Sequence, residues 1–96
     1  MHHPKGDPTI EVEEVNLYLA TVGVLREHGV TDASLQVNCE LRSESSEYII
    51  RANQAVRPVL APRLGAELHR NFDVQQTQWT LSPREANKLI SRWAVL

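Results

Sequence analysis

The sequence predicts a two-layer α+β domain in which a small antiparallel sheet of about three strands packs against two or three helices. Three observations carry that prediction. Residues 9–28 place apolar side chains at helical intervals, residues 34–42 alternate apolar with polar, and residues 82–93 open with a complete helix-start signal.

In the first segment, Val12, Val15, Leu19 and Val22 recur every three or four residues, and Leu25 or Arg26 continues the row. This row is the predicted buried face of an amphipathic helix. Thr9 is placed to cap its start, the early glutamates suit the positive end of the helix dipole, and Gly29 follows the last turn. Val12, Val22 and Val24 are β-branched and lower helix propensity, so Ile10 to Val12 also fit an early strand.

The second segment reads SLQVNCELR. Leu35, Val37, Cys39 and Leu41 point one way, while Gln36, Asn38, Glu40 and Arg42 point the other, the pattern of a half-buried strand. SESSE turns the chain, and YIIRA returns it as an antiparallel partner. Residues 53–60 read as a connector, followed by a short helix with Pro62 in its first turn, Leu64 and Leu68 inward, and Asn71 at its end. Phe72 to Leu81 resembles a third strand with imperfect alternation.

The last helix is the best marked. Ser82 caps it, Pro83 takes the first helical position, and Glu85 stands three residues after Ser82 to complete a capping box. Leu81 is set to pack back as a hydrophobic staple. Ala86, Leu89, Ile90 and Trp93 form the inward face, which leaves Arg84, Lys88 and Arg92 roughly opposite.

Ninety-six residues make one domain, expected over residues 9–96 behind a short mobile arm at residues 1–8. Cys39 is the only cysteine, so no disulfide forms within the chain, and a cytoplasmic protein is expected. No apolar run is long enough to span a bilayer, and MHHPKGDP lacks the order of a secretory signal.

The overall charge of −2 hides a division. Residues 1–48 carry nine acids and three bases, whereas residues 49–96 carry seven bases and three acids. An asymmetry of this kind orients a binding partner, unless folding brings the two halves together and cancels it.

Candidate chemistry is sparse. His2 and His3 lie in the arm, His28 and His69 near helix ends, and Cys39 on the apolar side of a strand. These residues predict no metal, no cofactor and no enzymatic site. A pairing of Cys39 with His69, oriented by Asp73, depends on the fold alone to assemble it.

The expected function is noncatalytic protein binding by an accessory, inhibitory or regulatory protein, with another protein or a second copy as partner and no membrane. A phage or other mobile-element origin would suit it. The candidate contact residues are Trp79 as an apolar anchor in a polar neighbourhood, Arg84, Lys88 and Arg92 on the last helix, and Glu11 and Glu14 on the first. The alternative is nucleic-acid binding through Arg63, Arg70, Arg84, Lys88 and Arg92.

The phrase LSPRE, Leu81 to Glu85, is similar to the start of the first helix in LuxR-type helix-turn-helix domains. The similarity covers only these residues and coincides with an efficient helix start. That family's recognition helix would lie beyond Leu96, so its DNA-binding activity is not expected of this chain.

Overall fold

The computed structural model describes residues 8–93, with side chains from residue 13 onward. It is a small α+β fold. In chain order the elements are helix α1 (Pro8–Glu27), a single helical turn α2 (Ala33–Gln36), strands β1 (Val37–Arg42) and β2 (Glu47–Ala52), helix α3 (Arg57–Leu68), strand β3 (Gln78–Leu81) and helix α4 (Pro83–Trp93). The predicted arm lies outside the described residues, except that Pro8 already belongs to α1 and Thr9 therefore sits inside the helix.

The sheet has the order β1-β2-β3 and is antiparallel throughout. Its register puts Cys39, Ile50 and Trp79 in one row and Leu41, Tyr48 and Leu81 in the next, all on the same face. Helix α1 lies against β1 and along α4, while α4 meets β2 and β3. On the opposite face, Asn38, Arg51 and Gln78 form one row and Glu40, Ile49 and Thr80 another. Arg51 pairs with Glu40 and donates to the Gln78 side chain at 3.1 Å, so polar groups bind the strands together there. Ile49, in the middle of that face, is fully buried.

The largest departure from expectation lies in α1. Leu17, Ala20, Thr21, Val24 and Leu25 are its buried stripe, and Val22 joins them. Val15 and Leu19 were expected inside, yet they are 52% and 56% exposed. The helix carries apolar residues on two sides, and both rows have helical spacing. The row from Leu17 to Leu25 is wider, with five positions in two turns, and its small Ala20 and hydrogen-bonded Thr21 allow close packing. Thr21 satisfies its own hydroxyl by donating to the Leu17 carbonyl at 2.8 Å.

Strand β1 is shorter than the alternation suggests. The Leu35 amide donates to the Asp32 carbonyl at 2.9 Å, and the Gln36 amide side chain donates to the Asp32 carboxylate at 2.6 Å. These bonds coil residues 33–36 into a turn and push Leu35 outward to 79% exposure. The hairpin that follows turns at residues 43–46, with Ser46 in the left-handed region.

Helix α3 begins earlier than predicted, directly after a 3-10 turn at Gln54–Val56. Pro58 occupies its first turn and Pro62 lies inside it. The bond Pro62 is unable to make would go only to Pro58, at the helix start, so a single weak link results. His69, rather than Asn71, ends the helix in the left-handed region, and its N–H donates to the Gly65 carbonyl at 2.8 Å. The chain then doubles back so tightly that a Cβ on Gly65 would stand 3.1 Å from the Arg70 carbonyl oxygen.

Helix α4 follows its sequence signal closely. The Glu85 N–H donates to Ser82 Oγ at 3.1 Å, and the Ser82 N–H donates to Glu85 Oε1 at 3.0 Å. Ala86, Leu89 and Trp93 are buried, with Ile90 partly so. Among the described residues no helix is long and apolar enough to cross a membrane. Removing the cap hydroxyl with Ser82→Ala is expected to cost about 1 kcal/mol, read as a lower urea midpoint at unchanged slope.

Candidate binding surfaces

The basic residues of the second half fall into two groups. Arg84 and Lys88 are exposed on α4 and form no ion pair among the described residues. Arg92, also on α4 and largely exposed, places Nε 3.2 Å from Glu67 Oε2. Arg70 is held more firmly. Its Nε donates to Glu85 Oε2 at 2.7 Å, its Nη2 donates to the Thr80 carbonyl at 2.8 Å, and its guanidinium lies 4.2 Å from the Phe72 ring centre. Arg63 contacts Glu27 at 3.6 Å and His28 Nε2 at 3.1 Å, and stacks over Trp93 at 5.7 Å. Of the five residues expected to form a nucleic-acid surface, three are thus engaged with acids of the same chain.

Trp79 is 3% exposed, so its expected role as a surface anchor does not hold. Its polar sequence neighbours hide the strand alternation that turns the ring inward. The indole meets Phe72 edge-on with ring centres 6.2 Å apart, and its N–H donates to the Asp73 carbonyl at 3.0 Å. Trp93 is likewise buried, with its N–H directed to Glu67 Oε1 at 3.2 Å. Each indole N–H therefore has a partner, as buried tryptophans require.

Of the acidic candidates, Glu14 is structural as well as accessible. Its Oε2 accepts the Leu41 N–H at 2.6 Å, which caps a backbone donor on the outer edge of β1. Glu13 accepts the Tyr48 hydroxyl at 2.7 Å. Burial, and then the bond to Glu13, raises the Tyr48 phenol to about 12. The Glu11 side chain lies outside the described residues.

The surface that sequence reasoning missed is the outer flank of α1. Four large hydrophobic side chains are exposed among the described residues; two of them, Val15 and Leu19, lie on this flank, and a third, Leu35, is on the adjoining α2. Val15 and Leu35 border a groove of about 440 Å³ between α1 and the start of β1, with Tyr18, Val37 and Cys39 in its wall and Glu14 at one end. Tyr18 fixes one side by donating its hydroxyl to the Ser34 carbonyl at 2.7 Å. The groove was legible in part, since Val15 and Leu19 already stood out as apolar. What the spacing could not tell is which of two apolar rows the chain itself covers.

Cys39 lies against this groove, but its environment opposes nucleophilic chemistry. Burial, partly offset by a hydrogen bond with Thr21, pushes the thiol up to about 12. Among the described residues no cluster of three or more histidine, cysteine, aspartate or glutamate side chains is arranged to hold a metal ion. Comparison with protein-family models, curated proteins and solved structures gives no match in any of the three. The functional reading therefore rests on the residues of this chain.

Two outcomes follow from these environments. The Cys39 thiol should resist alkylation at neutral pH in the native protein and react fully once urea unfolds it; rapid native labelling would contradict its burial. The Arg70 guanidinium holds the Glu85 carboxyl below its ordinary value. Glu85 therefore contributes stability that is complete above the unfolded glutamate value of about 4.3 and disappears as pH falls through the lower folded value. Glu85→Gln should lower the urea midpoint at pH 7, and the gap from the parent chain should narrow below about pH 4.

Proposed function

We propose that this chain is a noncatalytic protein-binding domain of the accessory, inhibitory or regulatory kind, and that the outer flank of α1 supplies its apolar contact. The observation that carries this reading is the exposure of Val15 and Leu19 on α1 and of Leu35 on the adjoining α2, with Val15 and Leu35 bordering one groove, while the rest of the described surface exposes only Val74 among large hydrophobic side chains. Scattered exposed apolar residues are ordinary; a cluster with an adjoining recess is the usual mark of a contact site. A partner side chain seated there would lose water where it meets Val15, Tyr18 and Leu35, and well-packed contacts of this kind are where a few residues dominate affinity.

The charged groups serve approach and register. Arg84 and Lys88 present positive charge on α4, and the first half of α1 carries three glutamates. Opposite fields at separate places on one small domain steer a partner into a fixed orientation before short-range contacts form. The ion pairs of Arg63, Arg70 and Arg92 reduce the positive field that a nucleic acid would need.

Affinity capture of the full chain after nuclease treatment tests the proposal. The expected result is stoichiometric recovery of protein, either a second copy or another chain, lost when Leu19 is replaced by Asp and kept when Lys88 is replaced by Gln. Recovery of nucleic acid alone, abolished by high salt and by joint neutralisation of Arg84 and Lys88, would overturn it.

A further inference from the structure

A second recess, of about 370 Å³, opens at the end of the sheet where β1 begins and β2 ends. Backbone bonds hold its walls together. Val37 and Ala52 are the last pair of the β1–β2 ladder, the Asn53 N–H donates to the Gln36 carbonyl at 2.9 Å, and the Ala52 N–H donates to the Thr77 carbonyl at 3.1 Å. Distant parts of the chain are thereby joined, and Gln36, Asn38, Arg51, Asn53, Arg57 and Thr77 line one space. No residue of that lining is acidic, and its charged groups are two guanidiniums.

Both arginines are oriented by the fold, and each keeps donors free. Arg57 Nε donates to the Ala52 carbonyl at 2.9 Å, which anchors the guanidinium and leaves the edge that carries Nη1 and Nη2. Arg57 forms no ion pair among the described residues. Arg51 is more fully engaged: Nε donates to the Gln78 side chain at 3.1 Å and Nη1 pairs with Glu40, so Nη2 remains and its charge is offset. Arg57 is therefore the source of the excess positive charge.

The neutral groups divide in the same way. The Asn53 amide donates to the Gln36 side chain at 3.2 Å, and the Gln36 amide donates to Asp32, so these two build the wall. Asn38 stands opposite Arg51 in the strand register and is exposed, as is Thr77. Buried Val37 and Ala52, with exposed Leu35, add an apolar part to the lining.

We infer that this recess binds a small phosphate monoester, with two of its oxygens on Nη1 and Nη2 of Arg57 and the third served by the donors of Arg51, Asn38 and Thr77. An arginine fork matches a pair of oxyanion oxygens, and a carboxylate would be satisfied by that fork alone. Phosphate has a further oxygen for the donors that the fork does not supply. The recess is also larger than a phosphate group, within the size range of small-molecule sites, and its apolar part suits an organic substituent. This site goes beyond the protein-binding reading and does not depend on it, since neither Val15 nor Leu19 lines the recess.

The test is a titration of the isotope-labelled full chain with phenyl phosphate, followed by amide and arginine side-chain NMR at constant ionic strength. Shifts are expected to centre on Asn38, Arg51, Asn53, Arg57 and Thr77 and to saturate at about millimolar concentration. Sodium acetate at the same concentrations should leave them nearly unmoved, and inorganic phosphate should bind more weakly than the ester. Arg57→Gln is expected to weaken binding by about tenfold or more, since it removes the charged fork.

Asn38→Asp, at an exposed position, is the second variant and should weaken binding by placing a carboxylate in the recess. Arg42→Gln removes one positive charge at the other end of β1 and should change nothing. Circular dichroism and urea unfolding check that each variant is folded. Shifts that never saturate, acetate binding as tight as the ester, or affinity untouched by both Arg57→Gln and Asn38→Asp would each overturn the proposal. The protein contact on α1 is read separately through Leu19→Asp, so either result can fail without the other.

Discussion

A helix resting on a three-stranded sheet can bury one side against its own chain, and α1 is apolar on two. The stripe from Leu17 to Leu25 packs into the core with Ile50, Leu60, Leu64 and Leu89, and the domain depends on that choice. It fixes α1 along α4, brings Glu13 to Tyr48 and Glu14 to Leu41, and directs Val15 and Leu19 away from the core. If the helix were rotated to hide Val15 and Leu19, Leu17 and Val24 would be exposed in their place. The outer flank is therefore a consequence of how much surface so small a chain can cover.

Charge is redistributed by the same packing. The linear sequence separates an acidic half from a basic half, but the fold joins them where Arg63 meets Glu27 and Arg51 meets Glu40. Within the basic half, Arg70 and Arg92 are matched to Glu85 and Glu67. These pairs are partly exposed, so each stabilises the fold modestly. Their larger effect is on the external field, since on α4 only Arg84 and Lys88 are left without an ion pair among the described residues.

The features legible in the sequence are those governed by local rules. The capping box from Ser82 to Glu85 and the alternation from Val37 to Leu41 state which backbone groups are satisfied and which side chains share a face. The obscure ones were set by distant contacts. Nothing adjacent to Trp79 announces that its ring will meet Phe72, and the alternation that includes Leu35 conceals the turn that Asp32 organises. In α3, two prolines suggested a break, yet Pro58 falls where the helix start leaves its bond unmade in any case, and Pro62, inside the helix, forfeits only the bond to the Pro58 carbonyl. The candidate site suffered from the same limit, because periodicity identifies apolar rows without ranking them.

The sheet edges bear on where association can occur. In the β1–β2 register the Leu41 N–H points away from β2, and in the β2–β3 register the Thr80 carbonyl points away from it as well. Glu14 accepts from the first and Arg70 donates to the second. Each outer strand thus has a backbone group occupied by a charged side chain from outside the sheet, one of each sign. Pairing with a foreign strand would require breaking that bond and displacing the charge, a means by which proteins suppress indiscriminate edge-to-edge addition. The exposed side chains of Val15 and Leu19, by contrast, are apolar and make no hydrogen bond that a contact would have to break.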